Sequence, residues 1–279
     1  LVKIVTDSVS DLPPQLAKEL GIAVVPLYLH FGTESYRDNV DLTTEEFYDK
    51  LAKSRIFPAT SAAGPGIWVE VFTRLATETS EILVVTAGSR LSASYESALQ
   101  AKTMVKTDCR IEVVDSTSGI GGEMLLVLLA SKLARKGANL EEVSNSVKKA
   151  APGVHVLVSF DTLEYLRRGG RIGRAQALLG SLLRVNPLIG LKNGEVYPYG
   201  RARNRAQAMD FLVNFVKGFP RIDSIAVEDA TTPDEREVLA QKLKQIVPEE
   251  RIYQTKVSPA VGAHVGPHAL GVSVLEAIE

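Results

Sequence analysis

The sequence predicts an α/β fold in two parts: a parallel-sheet N-terminal domain covered by helices, and a mixed or antiparallel α/β C-terminal domain. Three observations carry this. Short β-branched runs alternate with amphipathic helical stretches, as in KIVT (3–6), EILVVT (81–86) and RIEVVD (110–115), and such alternation builds parallel sheets buried on both faces. Beyond AAPGVHVLVSF (150–160), an Asn-Gly pair inside LKNGEVY (191–197) marks a hairpin and therefore antiparallel pairing. The chain of 279 residues is long enough for two ordinary cores. The division is expected at 1–152 and 153–279.

The elements follow in order. KIVT is a strand, so the opening LVKIVTDS does not read as a signal peptide. PPQLAKEL (13–20) is a helix with proline in its first turn, where a missing N–H costs little. VVPLYLHF (24–31) is a strand or extended piece. DLTTEEFYDKLAK (41–53) carries hydroxyls ahead of Glu45 and Glu46, a helix-start signal. PATSAAGPG (58–66) reads as a loop from its Pro, Gly and small residues. Trp68, Phe72 and Leu75 share one helical face and read as core. EILVVT, LSASYESALQAKTMV (91–105) and RIEVVDS (110–116) form a strand–helix–strand set, and GGEMLLVLLASKLARKG (121–137) is a buried helix. The later strands are GVHVLVSF (153–160), PLIGLKN (187–193) with EVYPYG (195–200), RIDSIAVED (221–229), RIYQTKV (251–257) and ALGVSVLEAI (269–278).

Composition narrows the function. Hydrophobic residues make up 45% and charged residues 23%, an ordinary globular balance. Thirty-two basic residues face 33 acidic ones, so no overall positive field invites nucleic acid. Cys109 is the single cysteine, which rules out an intramolecular disulfide and fits a cytoplasmic setting. No apolar run reaches the ~18 residues of a membrane span.

The chemistry-bearing residues cluster at strand ends. Thr6-Asp7-Ser8, Thr86-Ala87-Gly88-Ser89 and Asp115-Ser116-Thr117 each follow a strand, and open parallel sheets bind ligands beyond the carboxyl ends of their strands. Helix capping accounts for such residues one at a time. Taken with Ser92 and the Thr60-Ser61 loop, they form a set of neutral donors suited to one carboxylate or monophosphate. The P-loop and G-x-G-x-x-G patterns are absent, as is the G-x-S-x-G elbow. His264 and His268 are four apart but flank Gly266 and Pro267, so they do not share a helix face as metal ligands do. HVGPHALGV (264–272) is either a plain turn or a rigid mount for a histidine that meets an anion. An enzyme using Ser92 or Ser89 with His264 as base is the alternative reading. Arg201, Arg203 and Arg205, with Arg167, Arg168, Arg171 and Arg174, form either a basic docking face or a solvated surface.

TDSVSDLP (6–13), the Pro-x-Thr-Ser loop (58–61), SRLSASYESA (89–98), VVDS (113–116), DTLEYLRRGGRIG (161–173), LLRVNPLIGLKNGEV (182–196) and AHVGPHALGV (263–272) occur in the order seen in the DegV family, which the chain resembles over nearly its whole length. The resemblance implies a two-domain lipid-binding protein that buries the acyl chain of a long-chain fatty acid. Its carboxylate would be held by Thr60, Ser61 and Ser92, with Ser89 close by, His264 in the HxGP motif, and Arg171 in the supporting network. It further implies a carrier without catalysis or cofactor, presenting fatty acid, free or as acyl phosphate, to a fatty acid kinase subunit in phospholipid metabolism. The chain departs from the family pattern at Ala62-Ala63, where Gln-Pro is common, and at Ala93 and His268, where glycine is common.

Overall fold

The computed structural model describes residues 1–179 and 185–277. The chain opens with β1 (Lys3–Asp7), α1 (Pro14–Leu20), β2 (Ala23–Val25), β3 (Tyr28–Phe31) and β4 (Glu34–Arg37). Next come α2 (Thr44–Lys53), β5 (Ala59–Ser61), α3 (Pro65–Ala76), β6 (Glu81–Thr86), α4 (Ser94–Met104) and β7 (Arg110–Asp115). Helices α5 (Ile120–Arg135) and α6 (Leu140–Ala150) close this half. The expected start signal of α2 is a full capping box: Thr43 accepts from the Glu46 amide while Glu46 accepts from Thr43. An equivalent box at Asn139 and Glu142 starts α6.

Two sheets arise from these strands. The parallel one runs β2-β1-β6-β7, with its order reversing between β1 and β6. The other is a small antiparallel sheet, β4-β3-β5. Ala59–Ser61, expected as loop, is strand because it lies in register against β3, with Leu29 opposite Thr60. Three small residues carry no strand signal of their own; the neighbouring strand supplies the pairing.

The second half contains β8 (Val154–Ser159), α7 (Glu164–Arg168), β9 (Asn186–Lys192), β10 (Glu195–Ala202), α8 (Arg205–Lys217), β11 (Ile222–Asp229), α9 (Pro233–Leu243), β12 (Ile252–Lys256), α10 (Pro259–Val265) and β13 (Leu270–Glu276). Residues 182–184, which open the LLRVNPLIGLKNGEV motif, and residue 278 of the last expected strand lie outside the described residues. The remaining strands form one sheet, β10-β9-β8-β13-β11-β12. It is mixed: β11 pairs parallel with β12 and antiparallel with β13. The β9–β10 hairpin turns at Asn193 and Gly194, both left-handed at φ +53° and +75°, as a two-residue turn matching strand twist requires. The outer strand β10 carries Pro198 and a register shift between Pro198 and Gly200.

Helix α5 is wedged between the parallel and the mixed sheet, and this seam is polar as well as apolar. Its Gly121 amide donates to Glu228 on β11 at 2.8 Å, and Thr6 on β1 donates to Glu123 at 2.9 Å. Asp7, Asp11, Asp38, Glu123 and Glu228 are all buried. Burial pushes Asp7 up to about 6, and Asp38 and Glu228 up to about 7; it holds Asp11 and Glu123 well above the carboxylate range.

Each of these carboxyls keeps its proton in the folded chain at a pH where the unfolded chain has released it. Stability therefore falls as pH rises from about 4 through 7. His264, held down to about 4 by burial and by Arg171, and the carboxylates that hydrogen-bonded arginines hold low, such as Asp41 and Glu164, work the other way, but only below the ordinary value of each. The urea midpoint is expected to be higher at about pH 6 than at about pH 8, with Glu228→Gln narrowing the gap. A midpoint that rises toward alkaline pH would contradict this account of the seam.

Candidate functional site

A cavity of about 350 Å³ opens beyond the carboxyl ends of the parallel strands. Val9 after β1, Leu27 after β2, Leu91 and Ser92 after β6, and Ile120 after β7 form one side. The mixed sheet forms the other through Val156 and Val158 of β8 and Ile189 and Leu191 of β9. Helix α10 contributes Val261 and His264, and β5 contributes Thr60 and Ser61. Among the described lining residues, Thr60, Ser61, Ser92, Arg171 and His264 alone bring polar side chains.

Each of the five makes a short contact, and one of these joins two of them directly. Thr60 Oγ1 lies 2.7 Å from His264 Nε2. Arg171 Nε donates to the Leu91 carbonyl at 3.2 Å, one residue before Ser92, and a terminal nitrogen donates to the Gly169 carbonyl at 2.9 Å. Ser92 Oγ pairs with Ser94 Oγ at 3.0 Å, and Ser61 Oγ with His30 Nε2 at 2.9 Å. Burial and then the Arg171 charge lower His264 to about 4, so its imidazole is neutral near pH 7. His264 Nδ1 is buried without a partner.

Two sequence motifs meet here. A Cβ on Gly169, from the RRGGR stretch, would overlap the His264 ring, and one on Gly266 would overlap the Tyr165 ring. Glycine in each motif makes room for an aromatic ring of the other. His268, where the resemblance leads one to expect glycine, sits at φ +61°, a left-handed position that glycine occupies without strain.

Ser89 does not join the five. It lines a separate polar cavity of about 440 Å³ with Arg90, Asp115 and Asn193, and its amide donates to Asp115 at 3.2 Å. His264 bonds Thr60, not the Ser89 or Ser92 that the enzyme alternative pairs it with, and its Nδ1 is buried without a partner. No metal-binding group of three or more His, Cys, Asp or Glu occurs among the described residues. Nor do the arginines form one unpaired face. Arg167 and Arg168 pair with Glu164, Arg174 with Glu195, and Arg205 with Glu235. Arg171 lines the cavity, while Arg201 and Arg203 are exposed where β10 leads into α8. The apolar wall on β8 and β9 escapes sequence reasoning, because its valines and isoleucines look like any sheet core. Ile120 has one visible signature only in structure: φ +50°, rare for a β-branched residue.

Comparison with known proteins places this geometry. The family model described as "Uncharacterised protein, DegV family" matches residues 1–277. A DegV domain-containing protein of Caldanaerobacter subterraneus subsp. tengcongensis is 34% identical over 275 residues, covering 97% of each chain. A Thermus thermophilus structure, titled as fatty acid binding of a DegV family protein, is similar at TM-score 0.91 and 32% identity, covering 99% of both chains. Bacillus subtilis DegV, titled a fatty acid binding protein, gives TM-score 0.88 at 27% identity, again over 99% of both. No helix among the described residues is long and apolar enough to cross a membrane.

Replacing Gly169 by Ala puts a methyl group into the space of the His264 ring. The expected cost is about 1–3 kcal/mol, as for overpacked cores, read by chemical denaturation. Unchanged stability would mean that the ring yields freely.

Proposed function

The chain belongs to the DegV family, and from that premise we propose that it binds one long-chain fatty acid, acyl chain inside the cavity and carboxylate at Thr60, Ser61, Ser92, His264 and Arg171. The observation that carries this reading is the cavity's composition: a largely apolar wall with five polar side chains, of which Thr60 and His264 bond each other and Arg171 acts on His264 through its charge. Ser89 is left out of the proposed site.

The energetics favour such a ligand. Burying ~14 methylenes contributes roughly 11 kcal/mol of gross driving force at ~0.8 kcal/mol each. A hydrogen bond to the charged head adds only ~1.5–3 kcal/mol. The tail supplies affinity, and the head group sets orientation. When His264 carries its proton on Nε2, Thr60 accepts from the ring and is free to donate its own proton to a carboxylate. Arg171 adds a positive charge that also suits an acyl phosphate.

In this reading the protein is a cytoplasmic carrier, needs no cofactor and catalyses nothing itself. It delivers fatty acid to a kinase subunit through the exposed Arg201 and Arg203, and residues 1–152 and 153–279 act as two domains closing on the ligand.

Mass spectrometry of lipid extracted from the denatured protein is expected to give close to one fatty acid per chain. An empty protein that takes up no fatty acid on incubation would sink the proposal. Thr60→Ala and Ser92→Ala are each expected to weaken fatty acid affinity about ten- to a hundredfold, the loss of one charge-assisted hydrogen bond; binding unchanged in both would remove these hydroxyls from the site. Thr60→Ala should also lower stability, because it leaves both nitrogens of the buried His264 ring unpartnered.

A further inference from the structure

His264 stands on a helix of only seven residues, Pro259–Val265, too short to hold its own orientation. Its seat is built from the far end of the sequence. Gly262 presses so closely on α2 that a Cβ there would lie 2.6 Å from Phe47 and 2.7 Å from the Tyr48 hydroxyl. Tyr48 in turn donates to the Val257 carbonyl at 3.2 Å. At the start of α10, the Ala260 amide donates to Asp38 Oδ2 at 3.3 Å and the Ser258 amide to Asp11 Oδ1 at 3.0 Å. The Ser258 hydroxyl donates to the Ser8 carbonyl at 3.2 Å. Thr255 donates to the Asp11 carbonyl. Asp38 and Asp11 are 2% and 4% exposed, and each keeps a second carboxyl oxygen without a partner. Neither lines the cavity.

Two buried acids with orphan oxygens are an expensive way to anchor a chain segment. They grip the first turn of the helix whose last turn places His264 against Thr60. We propose that Asp38, seconded by Asp11, is a positioning residue of the head-group site: it fixes α10 so that His264 meets Thr60, and it affects ligand affinity only through that histidine. The proposal rests on the fatty-acid reading above.

A double-mutant cycle tests it. Affinity for cis-parinaric acid, a fluorescent long-chain fatty acid, is measured for wild type, Asp38→Ala, His264→Ala and the double variant. Asp38→Ala is expected to weaken binding about tenfold in the wild-type background and not at all in the His264→Ala background. Asp38→Asn, which keeps an acceptor oxygen for Ala260, should restore affinity to within about twofold of wild type. Equal losses in both backgrounds would overturn the proposal, since Asp38 would then act independently of His264.

A second readout needs no ligand. The imidazole nitrogen resonances of His264 in the lipid-free protein should shift in Asp38→Ala and hold in Asp38→Asn. Failure of the wild type to bind the probe would count against the fatty-acid reading, while these resonances still decide the positioning role. Should Asp38→Ala not fold, Ser258→Ala loosens the same clasp more gently; it is expected to shift the His264 resonances, and unmoved resonances would overturn the proposal.

Discussion

A hydrogen bond of 2.7 Å between Thr60 and His264 spans 204 positions of sequence. It ties the three-stranded sheet of the first half to the short helix before the last strand, and both partners line the cavity. The partners of this bond are themselves set by packing. Thr60 is placed by its register opposite Leu29. His264 fits only because Gly169 offers no side chain. A neutral ring is required too: a protonated imidazole beside Arg171 would meet a like charge in a dry setting, and burial with that arginine holds His264 down to about 4.

Around this bond the two sheets are joined by a shared apolar cluster and also by carboxyls reaching across the seam. Glu228 on the mixed sheet accepts from the first turn of α5, and Asp11 and Asp38 in the first half accept from the segment leading into α10. Each acceptor is desolvated and held above its ordinary ionisation range. The join is thus directional. A hydrophobic seam tolerates sliding, whereas a buried carboxyl that loses its amide partner is left without compensation. Such a seam keeps the cavity walls in fixed register despite coming from opposite ends of the chain.

Much of this was legible beforehand. The alternation of strands and helices gave the parallel sheet, and Asn193-Gly194 gave the hairpin with its left-handed turn. Thr60, Ser61, Ser92, Arg171 and His264 all reach one cavity. What failed to show depends on distance. Ala59–Ser61 becomes strand through a partner elsewhere, and no local pattern records it. Ser89 and Ser92 lie in one loop and look equivalent in sequence, but only the second faces the cavity. Asp38 belongs to no motif, and Asp11 lies in TDSVSDLP with nothing local to mark its role, because the amides they accept from lie 222 and 247 residues away. The arginines looked like one face, yet most are matched by a nearby glutamate, and charge pairing of that kind is decided by the fold.

The outer strand of the six-stranded sheet has a consequence of a different sort. An exposed sheet edge is a template on which another chain can add a strand. Here Pro198 removes a donor from that edge, and the shift between Pro198 and Gly200 breaks the spacing of the remainder. A second copy arriving at this edge finds no unbroken ladder to extend. Gly173 packs against the Val196 backbone on the same strand, so β10 is part covered and part interrupted, and the protein is guarded against nucleating stacks of itself along this edge.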